Sequence, residues 1–317
     1  MGSGNSRPCI STWAAPICSP ATRERCWPDR DFPTACKRQS SSFGDTNQPT
    51  FPENTRPRIR QPPQTPMKLI RFITFSALFV AVMSAAPAPT PLFNGRDLTD
   101  WEIWLEKGVE PTEAAKIFTV ADGVIHVYPQ AKAGARQPFG GLVTKQSYSR
   151  YVLQLEYRWG EHKFAPRAEA VRDAGVLFHL HETNVIWPAS VECQIQEGDT
   201  GDLWAIQTRV TSPVQNVIRN YSERGTPETR GGKDARFARF HRSYCHEQPG
   251  WNKLELTVDG ATAVFRVNGY VVNAVTSMER WDAATQTYVP LTFGRILLQA
   301  EGAEVFYRNI TITPLTP

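Results

Sequence analysis

Hydrophobic and polar residues alternate along most of the chain from Pro91 onward, and long helical periods are absent. The stretch "YVLQLEYRW" puts Tyr151, Leu153, Leu155 and Tyr157 on one face and Gln154, Glu156 and Arg158 on the other. A period of two is the signature of a half-buried strand. "AGVLFHLH" sets Val176, Phe178 and Leu180 against Leu177, His179 and His181. "SVECQIQ" likewise sets Val191, Cys193 and Ile195 against Glu192, Gln194 and Gln196. In "KLELTVDGATAVFRVNGYVV", Asp259-Gly260 and Asn268-Gly269 supply two hairpin turns. "RILLQAEGAEVFYRNITITPL" adds a further strand pair. Many short strands over one stretch of chain predict an all-β fold, a two-sheet antiparallel sandwich.

The polar face of these strands carries the candidate chemistry. A connection centred near Ile186 predicts His179 opposite Glu192, both pointing away from the core. An imidazole beside a carboxylate can hydrogen-bond, share a metal or form a proton-transfer pair, and it can equally be a solvated surface pair. His181 lies two residues along the same face, so His179, His181 and Glu192 form a candidate ligand set for one divalent cation. Gln194 and Gln196 continue the polar face. In "QEGDTGDLW", Asp199 offers oxygens in a glycine-bearing turn, and Trp204, or Trp187 in the preceding connection, offers an apolar platform for a sugar ring or a core side chain. The polar insertion "WGEHKFAPRAEAVRDAG" carries Arg172 and Asp173 at its exit, where a cation can stabilise an oxyanion, whereas Lys163 and Arg167 read as loop charges. Glu156, Arg158, Gln299 and Arg308 are further polar-face candidates for substrate contact.

Composition narrows the setting. Residues 1–66 hold nine basic and five acidic residues, which leaves 26 of each in the other 251. The strand-rich part is therefore neutral and shows no nucleic-acid footprint. Residues 1–66 are rich in Pro, Ser, Thr and Arg without periodicity, which predicts a disordered extension or an error in the assigned gene start. "MKLIRFITFSALFVAVMSAAPAP" then reads as a signal peptide over residues 67–88, with Lys68 and Arg71 ahead of an apolar run and small residues for cleavage. The expected product is a secreted or periplasmic domain over residues 89–317, with no stable membrane insertion after cleavage. Cys9, Cys18, Cys26 and Cys36 fall in the extension at spacings unlike a zinc site. Only Cys193 and Cys245 remain beyond it, and their pairing is left open. No P-loop, Rossmann fingerprint, G-x-S-x-G or H-E-x-x-H motif occurs in the strand-rich part, which argues against a nucleotide cofactor and against serine-esterase or zincin chemistry.

The segments "LFNGRDLTDWEIW", "FTVADGVIHV", "RDAGVLFH", "SVECQIQEGDTGDLW" and "GRILLQAEGAEVFYRNITI" together resemble the domain-of-unknown-function 1080 family, the 3-keto-disaccharide hydrolase domain. The resemblance spans Leu92 to about Leu315. It implies a jelly-roll sandwich of the concanavalin A-like, glucanase-like kind. It also implies a bacterial periplasmic or extracellular enzyme that cleaves 3-keto-glycosides or 3-keto-disaccharides made by a partner sugar 3-oxidoreductase, with a divalent metal implicated. Polar strand positions carry over as His179, Glu192 and Gln194. Many members have arginine where this chain has His179, a departure that marks a subgroup. A ketone at C3 acidifies the C2 proton, and the glycosidic oxygen lies β to that carbonyl. Proton abstraction by His179, oriented by Glu192 and with Arg172 or a metal on the enolate oxygen, then expels the aglycone, with or without later hydration. A carbohydrate-binding sandwich without a base, and an ordinary glycosidase using paired carboxylates such as Glu156 and Glu192, are the alternatives.

Overall fold

A computed structural model describes residues 87–181 and 185–316. The extension over 1–66 and all but the end of the leader over 67–88 lie outside the described residues.

The described chain begins with strands β1 (Thr90–Pro91) and β2 (Trp101–Leu105), a short helical turn α1 (Ala114–Ile117), then β3 (Phe118–Ala121), β4 (Val124–Val127) and β5 (Gly140–Thr144). Next come β6 (Arg150–Lys163), β7 (Asp173–Leu180), β8 (Ser190–Gln196), β9 (Leu203–Ile206), β10 (Arg209–Val214), β11 (Thr226–Gly231) and β12 (Phe237–Phe240). The last group is β13 (Asn252–Asp259), β14 (Thr262–Val267), β15 (Tyr270–Val275), β16 (Ser277–Asp282), β17 (Thr287–Pro290), β18 (Arg295–Ala300) and β19 (Ala303–Pro314). One sheet runs β15-β14-β13-β6-β19-β4-β3, with β1 added on β19. The second runs β12-β9-β8-β7-β18-β5-β2. A smaller sheet, β11-β10-β16-β17, joins the expected two.

The alternation read from the sequence builds the core. Tyr151, Leu153, Leu155 and Tyr157 of β6 are buried, and Leu254, Leu256 and Val258 of β13 stand opposite the first three of them. From the second sheet come Val176 and Phe178 of β7, Val191, Cys193 and Ile195 of β8, and Ile296 and Leu298 of β18. Phe178 meets Phe265 of β14 edge to face at 6.0 Å, which ties the sheets together. The predicted hairpins form, and Asn268 and Gly269 both take positive φ, as a two-residue turn requires.

Strand β7 departs from its predicted pattern. Leu177, not His179, stands opposite Glu192. Against β18 the register slips by one residue between Leu177 and Leu180, where His179 takes φ 55°. This is a β-bulge: an extra residue reverses which face the following side chains occupy. His179 thereby points into the sandwich, fully buried, and its Nε2 lies 2.9 Å from the Gly260 carbonyl. Leu180 moves to the outer face beside Leu177. Gly294 accommodates the bulge, since a Cβ there would sit 2.4 Å from the His179 carbonyl carbon. Cys193 is buried, Cys245 is exposed and both are free, so the pairing left open by the sequence is not made.

Candidate functional site

The outer face of the second sheet divides into two halves. Leu177, Leu180, Trp104, Val143, Ile206 and Leu297 form an apolar half, and Trp187 packs on it. Asp173, Glu192, Gln194 and Gln299 are also buried, and with Gln196 they form a polar half. Such a density of buried polar groups needs partners or a ligand. Residues 185–189, leading into β8, border the face, with Trp187 in the left-handed region at φ 59°. A bulky residue takes that conformation at a cost, and such strain is concentrated at functional sites. The Trp187 ring packs edge-on against Phe139 at 5.3 Å, and its side chain hydrogen-bonds Glu301. A hollow of about 730 Å³ is left between this roof and the polar half, with Glu192, Asp173, Gln194, Trp204, Arg167 and Arg239 among its walls.

Three carboxyl groups share that hollow, each in a different setting. Asp173 accepts from Gln194 Nε2 at 2.6 Å and Gln196 Nε2 at 2.8 Å, and it pairs with Arg167. Burial raises its pKa to about 6 even against the pull of Arg167. Arg167 also lies 3.4 Å from Glu301, whose pKa burial and the Asp173 charge push up to about 8. The Glu192 carboxyl accepts no hydrogen bond from a described residue, and burial, followed by the charges of Glu301 and Asp173, holds its pKa well above the usual carboxylate range. Gly175 makes room for it: a Cβ there would lie 2.0 Å from Glu192 Oε1 and 2.4 Å from Gln299 Oε1. Both amide atoms of Gln299 are buried without a hydrogen-bond partner among the described residues. Arg239 is held by Asp199 at 2.9 Å and by the buried Asp202, over the face of Trp204.

Several expected residues therefore converge: Glu192, Asp173, Gln194, Gln196 and Trp204 line the hollow, Gln299 lies beside Glu192, and Asp199 steadies Arg239 from behind. Others do not. His179 is inside the core, where burial lowers its pKa to about 4. It cannot face Glu192 as a base. His181 is exposed past the end of β7, with its ring 6.3 Å from Phe293. Arg172 turns away to Glu197 at 2.7 Å and the Gly160 carbonyl at 2.8 Å, so it stabilises a turn and does not reach the hollow. Glu156, Arg158 and Arg308 belong to the outer face of the other sheet, where Arg308 binds Glu156 at 2.7 Å and stacks on Trp251. The whole sandwich separates Glu156 from Glu192, which removes that pair as glycosidase carboxylates.

Sequence reasoning missed Arg239 and Glu301, read Arg167 as a loop charge, and offered Trp187 only as an alternative platform to Trp204. Glu301 had a readable signal, since it lies two residues beyond Gln299. Arg239 had none, because it reaches the hollow only through the folded path of an edge strand, and the role of Arg167 depends on its loop closing onto Asp173 and Glu301. His179, His181 and Glu192 do not form the proposed cation site. Among the described residues, no group of three or more His, Cys, Asp or Glu side chains is arranged to hold a metal ion. Arg167 already occupies the position between Asp173 and Glu301 with its own positive charge. The described residues do not fit the divalent metal that the family resemblance implied.

Residues 88–313 match the model of a family described as the 3-keto-alpha-glucoside-1,2-lyase-like domain. Among curated proteins no relative matches the chain. Among solved structures, a "putative glycosyl hydrolase" from Parabacteroides distasonis ATCC 8503 is similar at 20% identity and a TM-score of 0.44, covering 72% of this chain and 94% of its own. The carbohydrate binding module CBM66 from Bacillus subtilis is similar at 9% identity and a TM-score of 0.39, covering 68% and 96%. The Bacillus licheniformis beta-glucanase is similar at 10% identity and a TM-score of 0.38, covering 74% and 100%.

Proposed function

Because the chain belongs to the 3-keto-alpha-glucoside-1,2-lyase-like domain family, a carbohydrate-active family, we propose that it cleaves 3-keto-glycosides by elimination, using the carboxyl groups of the concave hollow. The observation that carries this reading is the pairing, in one hollow, of an ion-paired carboxylate, Asp173, with a buried carboxyl that accepts no hydrogen bond from a described residue, Glu192. Environments that push two acids apart in pKa assign a base and an acid at neutral pH. Asp173, ionised above about pH 6, is the base, and Glu192, whose burial holds its pKa well above the usual carboxylate range, is the acid.

In the proposed reaction Asp173 removes the C2 proton. The C2–H electron pair forms C2=C3, and charge moves to the ketone oxygen, where Arg239 stabilises it. The enolate then restores the carbonyl and forms C1=C2. The bond from C1 to the glycosidic oxygen breaks, and that oxygen takes the Glu192 proton. The products are a 2-hydroxy-3-keto-glycal and the free aglycone. If water adds to C1 in the reverse sense, Glu192 recovers a proton from it and Asp173 returns its proton to C2. Both residues are then reset, and the net reaction is hydrolysis. No step requires an oxocarbenium ion, so the two-carboxylate spacing of ordinary glycosidases is not needed.

A 3-keto substrate requires prior oxidation of a sugar C3 hydroxyl, which makes a sugar 3-oxidoreductase the expected supplier. The leader-like sequence at 67–88 supports action in the periplasm or outside the cell of a bacterium. Among the described residues no helix is long and apolar enough to cross a membrane. Incubating the purified chain with matched methyl glucoside and methyl 3-keto-glucoside tests the activity, and cleavage of only the keto compound is expected. Saturable binding without turnover of either would leave a sugar-binding sandwich, and cleavage of the unoxidised glucoside would mean ordinary glycosidase chemistry.

A further inference from the structure

A second hollow, of about 710 Å³, adjoins the carboxyl-bearing one, and the two share Trp187 and Arg236 in their walls. Their linings differ in kind. The second is built largely from Ile103, Leu105, Val109, Val185, Ile186 and Trp187. Among the described residues its charged side chains are Lys107, Arg236 and Glu106, and Glu106 is already committed, accepting from Arg136 at 2.5 Å and from the Phe139 amide at 2.8 Å. Apolar side chains outnumber these charged ones in the lining, so most of a sugar ring's hydroxyls would face carbon there, whereas an apolar group gains by leaving water. Val185 is 42% exposed, so apolar surface is presented to solvent at this mouth.

Trp187 links the two spaces. Its side chain hydrogen-bonds Glu301 on the polar side, and the residue also lines the apolar hollow. A glycoside lying across it would put its sugar against Asp173 and Glu192 and its leaving group beyond the indole. We infer that the second hollow is the leaving-group subsite and that the preferred substrates are 3-keto-glycosides of apolar, aromatic aglycones, ahead of 3-keto-disaccharides. This inference rests on the proposed activity for its orientation, but the apolar subsite is testable by binding alone.

The test uses phenyl 3-keto-glucoside, methyl 3-keto-glucoside and a 3-keto-disaccharide. Affinities are measured by calorimetry on the full chain carrying Glu192→Gln, so that turnover does not interfere. Phenyl is a better leaving group than methyl, which is why Kd and not kcat is the deciding quantity. The phenyl compound is expected to bind at least about tenfold more tightly than the other two, because it buries a ring that they lack. Val109→Asp and Ile186→Asp, each added separately, should bring the phenyl-to-methyl ratio close to one while the methyl Kd stays put. Both positions are partly exposed, so the substitutions do not disturb the core. Equal affinities, or a phenyl preference that survives both substitutions, would overturn the inference. If the unaltered chain cleaves all three compounds with no phenyl preference in binding, the activity stands and the subsite falls. If it cleaves none, yet the phenyl preference is present and lost on Val109→Asp, the subsite stands and the activity falls.

Discussion

Glu192 and Asp173 sit four residues apart in register on neighbouring strands, and their differing surroundings decide what each can do. Two glutamine amides and Arg167 hold Asp173, while Glu192 faces the same hollow without a donor among the described residues. The pH profile of kcat/KM should therefore rise as Asp173 ionises near pH 6 and fall where Glu192 loses its proton, well above an ordinary carboxylate. Asp173→Asn is expected to abolish the rising limb, and Glu192→Gln the falling one, each with a loss of about 10²–10⁴ in kcat. Stopped assays from pH 4 to 10 check this, and a Glu192→Gln enzyme with full kcat would remove that residue from the chemistry. Glu192 was legible in the sequence because it lies on the outward phase of a clear alternating strand. Its lack of a partner was not legible, since that depends on Gly175 leaving space beside it.

Strand β7 shows how one element can read correctly in kind and wrongly in phase. Its apolar alternation identified Val176 and Phe178 as core, and both are. The bulge after Phe178 then inverts the pattern, so His179 falls inside and Leu180 outside. Nothing in "GVLFHLH" announces this, because the bulge is set by β18 and by the close approach of Gly294, which lies 115 positions away in the chain. His179 is thus a structural residue: its ring fills core space and donates to the Gly260 turn of the β13–β14 hairpin. Replacing it with alanine is expected to cost about 2–4 kcal/mol through the cavity and the orphaned carbonyl, while kcat changes by less than about twofold. Urea unfolding and a turnover assay on the same preparation decide it. A large loss of kcat with an unchanged unfolding midpoint would return His179 to the reaction.

Across the whole molecule, the second sheet buries three acids on one face, and folding must leave them partly protonated. Glu301 goes from an ordinary 4.5 to about 8, and Asp173 from 3.8 to about 6. A carboxyl whose pKa is raised by folding binds more protons in the native state than in the unfolded one. Its stabilisation is complete below the unfolded value and is lost as pH rises through the folded value. These two groups should thus lower Tm progressively between about pH 4 and pH 8, and Glu301→Gln should flatten the upper part of that slope. Calorimetric scans across the range measure it, and a slope unchanged by Glu301→Gln would show that the residue is not shifted. The same view separates what each level determined. The sequence by itself determined the all-β class, the hairpins, the core faces of β6, β8 and β13, and the polar identity of the strand that carries Glu192, because side-chain alternation is a local consequence of the pleat. Only the tertiary structure decided which polar face becomes a hollow, because that depends on sheet pairing, on one extra residue in β7 and on loops that border the sheet. Those long-range contacts exclude His179, Arg172 and Glu156 from the site and admit Arg167, Arg239, Trp187 and Glu301.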